Sequence, residues 1–210
     1  MCIKRKAISI LKKEFFSRPS HLVAPDLIGC FLVKRFSQNK YLSGVIVETE
    51  AYSEEEASCH GFSKRTKRNE TLFGQPGNLY VYVSYGIYHC VNIVTGSENW
   101  ANGVLLRSIA IEGEDDRIAA GPGLLAKRFG LNSTHNNLPL SPKNNLWLTK
   151  EENFNQMENI IQTTRIGISK AKDIPWRWYL GSSRSISKRA KGDKIPPTNK
   201  CWAPTSIEGL

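Results

Sequence analysis

Apolar and polar positions alternate with two periods along this chain. In the first twenty residues Ile8, Leu11 and Phe15 stand at helical spacing among lysines and arginines, which predicts a basic amphipathic helix. Residues 22–36, with Leu27-Ile28-Gly29-Cys30-Phe31-Leu32-Val33 at their centre, pass from a short helix into a strand, and Ser37-Gln38-Asn39-Lys40 is a turn. Residues 44–52 alternate as a strand, whereas residues 53–78 read as loop punctuated by Gln75-Pro76-Gly77-Asn78. Two β-rich runs, 79–83 and 87–94, are joined by Ser84-Tyr85-Gly86, which predicts a hairpin, and a third covers 103–109. A helical pattern spans 112–128 around Gly121-Pro122-Gly123, and 132–145 is polar and turn-rich. Ile166-Gly167-Ile168 and Trp178-Tyr179-Leu180 predict late strands, and the Ser-rich, basic stretch 181–200 predicts a loose tail.

Successive strands with short connections predict an antiparallel sheet. The fold class is therefore α+β: a single domain over residues 1–190, with a curved, mostly antiparallel sheet, flanking helices and a protruding β-hairpin. A basic C-terminal tail follows over residues 191–210. At 210 residues, 40% of them apolar, the chain can bury a full core without disulfides or metal. Five Trp, seven Tyr and eight Phe exclude global disorder.

Charge changes the picture. Lys and Arg number 29 against 19 Asp and Glu, a net +10, and such an excess points to an anionic partner, nucleic acid first. No run approaches the roughly 20 apolar residues of a membrane span. The basic start Met1-Cys2-Ile3-Lys4-Arg5-Lys6 is followed by only a short apolar run before Lys12-Lys13, so no secretory leader is expected. Five cysteines, an odd number without Cys-x-x-Cys spacing, fit a reduced compartment. The expected location is cytoplasmic, nucleoid-associated if the source is bacterial. Cys59-His60 and His89-Cys90 invite a zinc reading, but neighbours on a strand point to opposite faces, so no metal is expected.

Two segments carry candidate chemistry. In Ile46-Val47-Glu48-Thr49-Glu50-Ala51-Tyr52 strict alternation puts Ile46, Glu48, Glu50 and Tyr52 on one face. A carboxylate beside an aromatic wall can act as general base toward water, although a solvated polar face has the same pattern. The second segment, Tyr80-Val81-Tyr82-Val83-Ser84-Tyr85-Gly86-Ile87-Tyr88-His89, holds four tyrosines, more than an ordinary core needs. Tyr80 and Tyr88 fit core packing, whereas Tyr85 at the hairpin tip is placed to enter a base stack.

These segments and several others resemble the alkyladenine (3-methyladenine) DNA glycosylases of the mammalian type, which also occur in bacteria. In order, the matching stretches are Val47 to Tyr52, His60, Arg65-Thr66-Lys67-Arg68-Asn69, and Pro76-Gly77-Asn78-Leu79-Tyr80-Val81-Tyr82. They continue with Tyr85-Gly86, Cys90-Val91-Asn92, Val104-Leu105-Leu106-Arg107 and Gly121-Pro122-Gly123, then Arg165-Ile166-Gly167-Ile168 and Pro175-Trp176-Arg177-Trp178-Tyr179. The resemblance covers residues 10–187.

It implies a base-excision repair enzyme for alkylated purines such as 3-methyladenine in double-stranded DNA, a monofunctional N-glycosylase working by base flipping, as a monomer and without cofactor. Its residue roles follow: Glu50 as general base; Arg107 positioning the water or a phosphate; Tyr52 and Tyr82 sandwiching the base; His60 hydrogen-bonding the base edge or its phosphate; Asn92 at the pocket floor; Tyr85 as the intercalating wedge. Lys64, Arg65 and Arg68 are expected at DNA phosphates, with Lys67, Arg184, Lys188 and Arg189 as further basic residues. Glu48 takes a supporting role and His89 none. No lysine falls at the matched pocket positions, which is why no lyase step is expected. The alternatives are a non-catalytic DNA- or RNA-binding module and a glycoside hydrolase pairing Glu48 with Glu50.

Overall fold

The structure is a computed structural model that describes residues 8–151 and 159–195. The elements are β1 (Ile8–Ile10), α1 (Lys13–Phe16), α2 (Ser20–Asp26), β2 (Phe31–Ser37), β3 (Lys40–Ser53), β4 (Leu79–Ser84), β5 (Tyr88–Val94), β6 (Asn102–Ala110), α3 (Pro122–Arg128), β7 (Leu146–Glu151), β8 (Ile160–Thr163) and β9 (Arg177–Leu180). The strands form one curled antiparallel sheet in the order β1-β7-β2-β3-β6-β5-β4, with β9 branching from β3 and β8 pairing with β9. With three short helices around one sheet, the protein is α+β.

β3 organises the molecule. Its first half pairs with β2, its second half with β9 over Glu48–Glu50, and β6 lines its other edge. Gly44 makes that junction tight: a Cβ there would stand 2.4 Å from Ile109 Cγ2 and 2.9 Å from the Ala110 carbonyl. The β3–β6 register slips on either side of Glu48, and such bulges sharpen the twist and re-aim side chains. Strict alternation therefore fails for Ile46, which belongs to the main core. That core gathers Phe16, Val45, Leu106, Ile109, Leu125 and Trp147 between the sheet and the helices. A smaller cluster of Cys59, Leu72, Phe73, Tyr80, Val94 and Ala101 has Tyr52 and Tyr82 packed against it.

The β4–β5 hairpin forms as its sequence demands. Ile87 N–H closes onto the Ser84 carbonyl at 3.2 Å, with Tyr85 at φ 49° and Gly86 at φ 75°. Gly takes that left-handed conformation freely; a tyrosine does not.

Several sequence expectations are corrected. The N-terminal amphipathic helix is not formed by the described residues: Ile8 and Ile10 are exposed on the edge strand β1, Leu11 N–H bonds to the Leu148 carbonyl, and only Lys13–Phe16 is helical. Pairing with β7 thus outcompetes the helical period. The helix expected over 112–128 shrinks to Pro122–Arg128, because Gly113 (φ 74°) and Gly121 (φ 133°) break it and Pro122 starts it afresh. Ile166-Gly167-Ile168 is a bend, not a strand, with Gly167 at φ 76°. Strands β1, β7 and β8 were not anticipated. Residues 181–195 are not loose: Ser183, Ser185 and Ile186 are buried, and Asp193 accepts from Tyr179 and Arg189. The rest of the expected tail, 196–210, lies outside the described residues. Tyr88 is not core; it is half exposed and lies against Gly123.

Candidate active site

An open pocket of about 690 Å³ lies where β3, β4, β5 and β6 meet the loops around residues 57–60 and 166–170. Its volume is within the range of small-molecule sites. The structure brings Tyr52, His60, Arg68, Tyr82, Tyr85, Asn92 and Arg107 to its walls. Glu50 lies behind the wall, with no exposed surface.

Glu50 is held by three donors. Tyr52 Oη–H reaches Oε2 at 2.9 Å, Arg107 Nη1 reaches Oε2 at 3.1 Å, and Ile166 N–H reaches Oε1 at 2.7 Å. Glu48, also fully buried, accepts five. Arg107 Nε (3.2 Å), Arg177 Nη1 (2.9 Å) and Ser187 Oγ (2.8 Å) converge on Oε1; Ser108 Oγ and Ser187 N–H, both at 2.7 Å, converge on Oε2. A carboxylate offers about four acceptor positions. Glu48 is saturated and Glu50 is not. Burial alone would raise the Glu48 carboxyl, but Arg107 and the serine hydrogen bonds outweigh it and hold the group below the ordinary carboxylate value. Arg107 shows the mirror case: burial pushes it down, and the charges of Glu50 and Glu48 more than restore it.

The aromatic wall is cross-braced. His60 Nδ1 is hydrogen-bonded to Tyr80 Oη at 2.9 Å, and its ring stands edge-on to Tyr82 at 4.6 Å between centroids. Desolvation, and then the Arg68 charge, lower the His60 pKa, so the ring is neutral at neutral pH. Burial pushes the Tyr80 phenol up to about 12 and raises Tyr82 further. Tyr52 is raised well above its ordinary value, by burial first and then by Glu50. Asn92, in the pocket lining, donates from Nδ2 to the Tyr80 carbonyl at 3.1 Å, which orients its amide. Tyr85, 86% exposed, projects at the mouth with Ile87 beside it at 69%.

The expected phosphate contacts separate into two groups. Lys64 and Arg68 line a second hollow of about 320 Å³ next to His60 and Tyr80. Arg65 is already engaged: it pairs with Glu70 at 2.6 Å and lies over the Phe73 ring. Arg184 pairs with Asp116, and Arg189 binds Asp193 and two carbonyls. Buried Asn69 orders the intervening loop, accepting from Thr66 N–H and donating to the carbonyls of His60 and Lys64. One lysine outside the matched stretches reaches the pocket: Lys170 lines it, exposed at the rim.

Sequence reasoning missed the supports behind the pocket. Arg165, wholly buried, binds Glu56 through two nitrogens at 2.6 and 2.9 Å and stacks over Tyr52 with its guanidinium carbon 4.7 Å from the ring centroid. It thereby holds Ile166, whose N–H meets Glu50. The motif Arg165-Ile166 was visible in the sequence, but a backbone donor leaves no residue-type signal.

The profile of the family described as methylpurine-DNA glycosylase matches residues 14–184, which include every residue of this pocket. Relatives named for 3-methyladenine DNA glycosylase are similar over nearly their full length. One from Synechococcus sp. (strain JA-3-3Ab) is 39% identical over 189 residues, covering 83% of this chain and 97% of the relative. One from Trichodesmium erythraeum is 38% identical, covering 85% and 98%, and one from Methanoculleus marisnigri is 40% identical, covering 85% and 99%. The chain belongs to the methylpurine-DNA glycosylase family. It is a DNA N-glycosylase of base-excision repair, and its substrate is DNA.

Proposed function

We propose that the pocket receives an alkylated purine, 3-methyladenine above all, flipped out of duplex DNA, and that Glu50 activates the water that replaces it. The observation that carries this reading is the difference in acceptor count between the two carboxylates: Glu48 is saturated by five donors, whereas Glu50 accepts three. In the proposed step the water oxygen bonds to the sugar C1′ and its proton passes to Glu50. The C1′–N bond breaks, and the purine leaves with the electron pair. A ring-alkylated purine carries a positive charge and departs as a neutral base, so no acid is needed. A cationic ring also stacks well against electron-rich tyrosine faces, which supports Tyr52 and Tyr82 as its walls.

Flipping costs a few kcal/mol, least for a damaged base. Stacking of the base on aromatic side chains, about 1–3 kcal/mol, and insertion of Tyr85 into the vacated stack offset that cost. Neutral His60 offers a hydrogen bond to the base or its phosphate without repelling a cationic lesion. Lys64 and Arg68 are free to meet phosphates. The enzyme acts as a monomer and is monofunctional: Lys170 sits at the rim, not beside Glu50, so borohydride yields no covalent protein–DNA adduct.

The test compares wild type with Glu50→Gln on a duplex carrying one methylated purine, with alkali revealing abasic sites. General-base catalysis contributes about 10²–10⁴-fold, and the variant should lose that much while still binding the duplex. Wild-type release by Glu50→Gln removes Glu50 from the mechanism. Binding without release by either protein favours a DNA-binding module.

A further inference from the structure

The C-terminal segment passes β3 and meets Glu48 there. Ser187 donates to Glu48 twice, from its backbone N–H to Oε2 at 2.7 Å and from its hydroxyl to Oε1 at 2.8 Å. The same hydroxyl accepts from Arg107 Nη2 at 3.2 Å. Two further bonds pin the segment on either side: Arg177 Nη1 to the Lys188 carbonyl at 2.8 Å, and Arg117 Nη1 to the Ile186 carbonyl at 2.7 Å. Arg177 Nη1 also reaches Glu48 Oε1, so it ties β9, β3 and this strap together.

The consequence falls on Arg107. Its guanidinium has three nitrogens, and each has one partner: Nε on Glu48, Nη1 on Glu50, Nη2 on Ser187. A fork held at three points cannot rotate about its long side chain. Without the first and third contacts only the contact to Glu50 remains, and Arg107 becomes free to leave it.

We propose that Glu48 and Ser187 form a latch through which the C-terminal strap aims Arg107 at Glu50, making both positioning residues for base release. The inference rests on the reading of Glu50 as the base, since it assigns the latch to the chemical step. Neither latch residue lines the pocket, so neither meets the damaged base directly, and a latch that aims Arg107 at Glu50 predicts a defect in release rather than in affinity.

Single-turnover base release and duplex affinity separate the two effects in the full-length protein. Ser187→Ala removes the hydroxyl but keeps the backbone bond to Glu48. It should slow release about tenfold, the equivalent of one hydrogen bond, with unchanged affinity. Ser187→Thr keeps a hydroxyl and should restore most of the rate. Glu48→Gln should slow release further, again without loss of affinity. If Glu48→Gln does not fold, the Ser187 pair decides alone. A folded Ser187→Ala protein that releases base at the wild-type rate overturns the latch. So does a Ser187→Ala defect that Ser187→Thr does not repair, or one that appears equally in affinity. Glu50→Gln, assayed alongside, keeps the two readings apart. If Glu50→Gln alone is defective, the latch fails and the base assignment stands. If Glu50→Gln releases base normally, the base assignment fails whatever Ser187 does.

Discussion

Tyr85 is a residue whose cost and use lie in different places. It holds a left-handed backbone, which costs a bulky side chain about 1–2 kcal/mol, while its ring gains no burial. Tyr85→Gly should therefore raise the unfolding free energy by up to about 1 kcal/mol, readable in a urea titration, and at the same time depress release from duplex DNA. Release from a lesion in single-stranded DNA should fall far less, because there is no stack to fill. Glu56 behaves oppositely. Glu56→Ala strands the buried Arg165 charge and should cost about 3–5 kcal/mol of stability, with a lowered Tm as the readout. At this scale the sequence was informative about which side chains gather at the pocket: Tyr82 and Arg107 line it, and Glu50 lies behind it in contact with Arg107. It was silent where the group is a backbone N–H, as at Ile166, or where a serine in a polar stretch reads as solvated, as at Ser187.

Among the elements, β3 organises the candidate site: it touches β2, β6 and β9 and carries Glu48, Glu50 and Tyr52. Gly44→Ala forces a methyl into the Ile109 side chain and the Ala110 carbonyl. It should destabilise the protein by about 1–3 kcal/mol in equilibrium denaturation. The long, alternating strand and the tyrosine hairpin were legible because their signals are strong and local. β7 and β8 were not, since Leu146-Trp147-Leu148 and Ile160-Ile161 are apolar runs too short to distinguish strand from helix by period. Ile166-Gly167-Ile168 has strand composition, yet Glu50 takes the donor a strand partner would need. The first helix failed for a related reason: its apolar spacing is also satisfied by a two-residue β period at Ile8 and Ile10, and only pairing with β7 decides between them.

The whole molecule carries a charge of +10, and DNA affinity should fall steeply with salt. Each lysine or arginine that neutralises a phosphate adds about 0.9 to the slope of log K against log salt. Lys64→Ala and Arg68→Ala should each lower the slope by about that amount. Arg65→Ala should lower it less, because Glu70 already neutralises Arg65. Acid acts on the buried network. The Glu48 pKa is depressed in the folded protein, so its stabilising contribution is complete above the ordinary carboxylate value near 4.5 and is lost as pH falls through the lower folded value. A protein lacking this charge, Glu48→Gln, should show a shallower loss of Tm below pH 4.5 than wild type.

The thiols have a bearing on survival. Burial pushes Cys30 and Cys59 up to about 12 and raises Cys90 as well, so all three described thiols are held in the protonated form. The thiolate is the form that attacks electrophiles. The methylating agents that produce methylpurines are electrophiles, so a thiolate would be open to them and a buried thiol is not. By keeping these sulfurs packed and protonated, the fold makes its own interior a poor target for the reagents whose damage it removes.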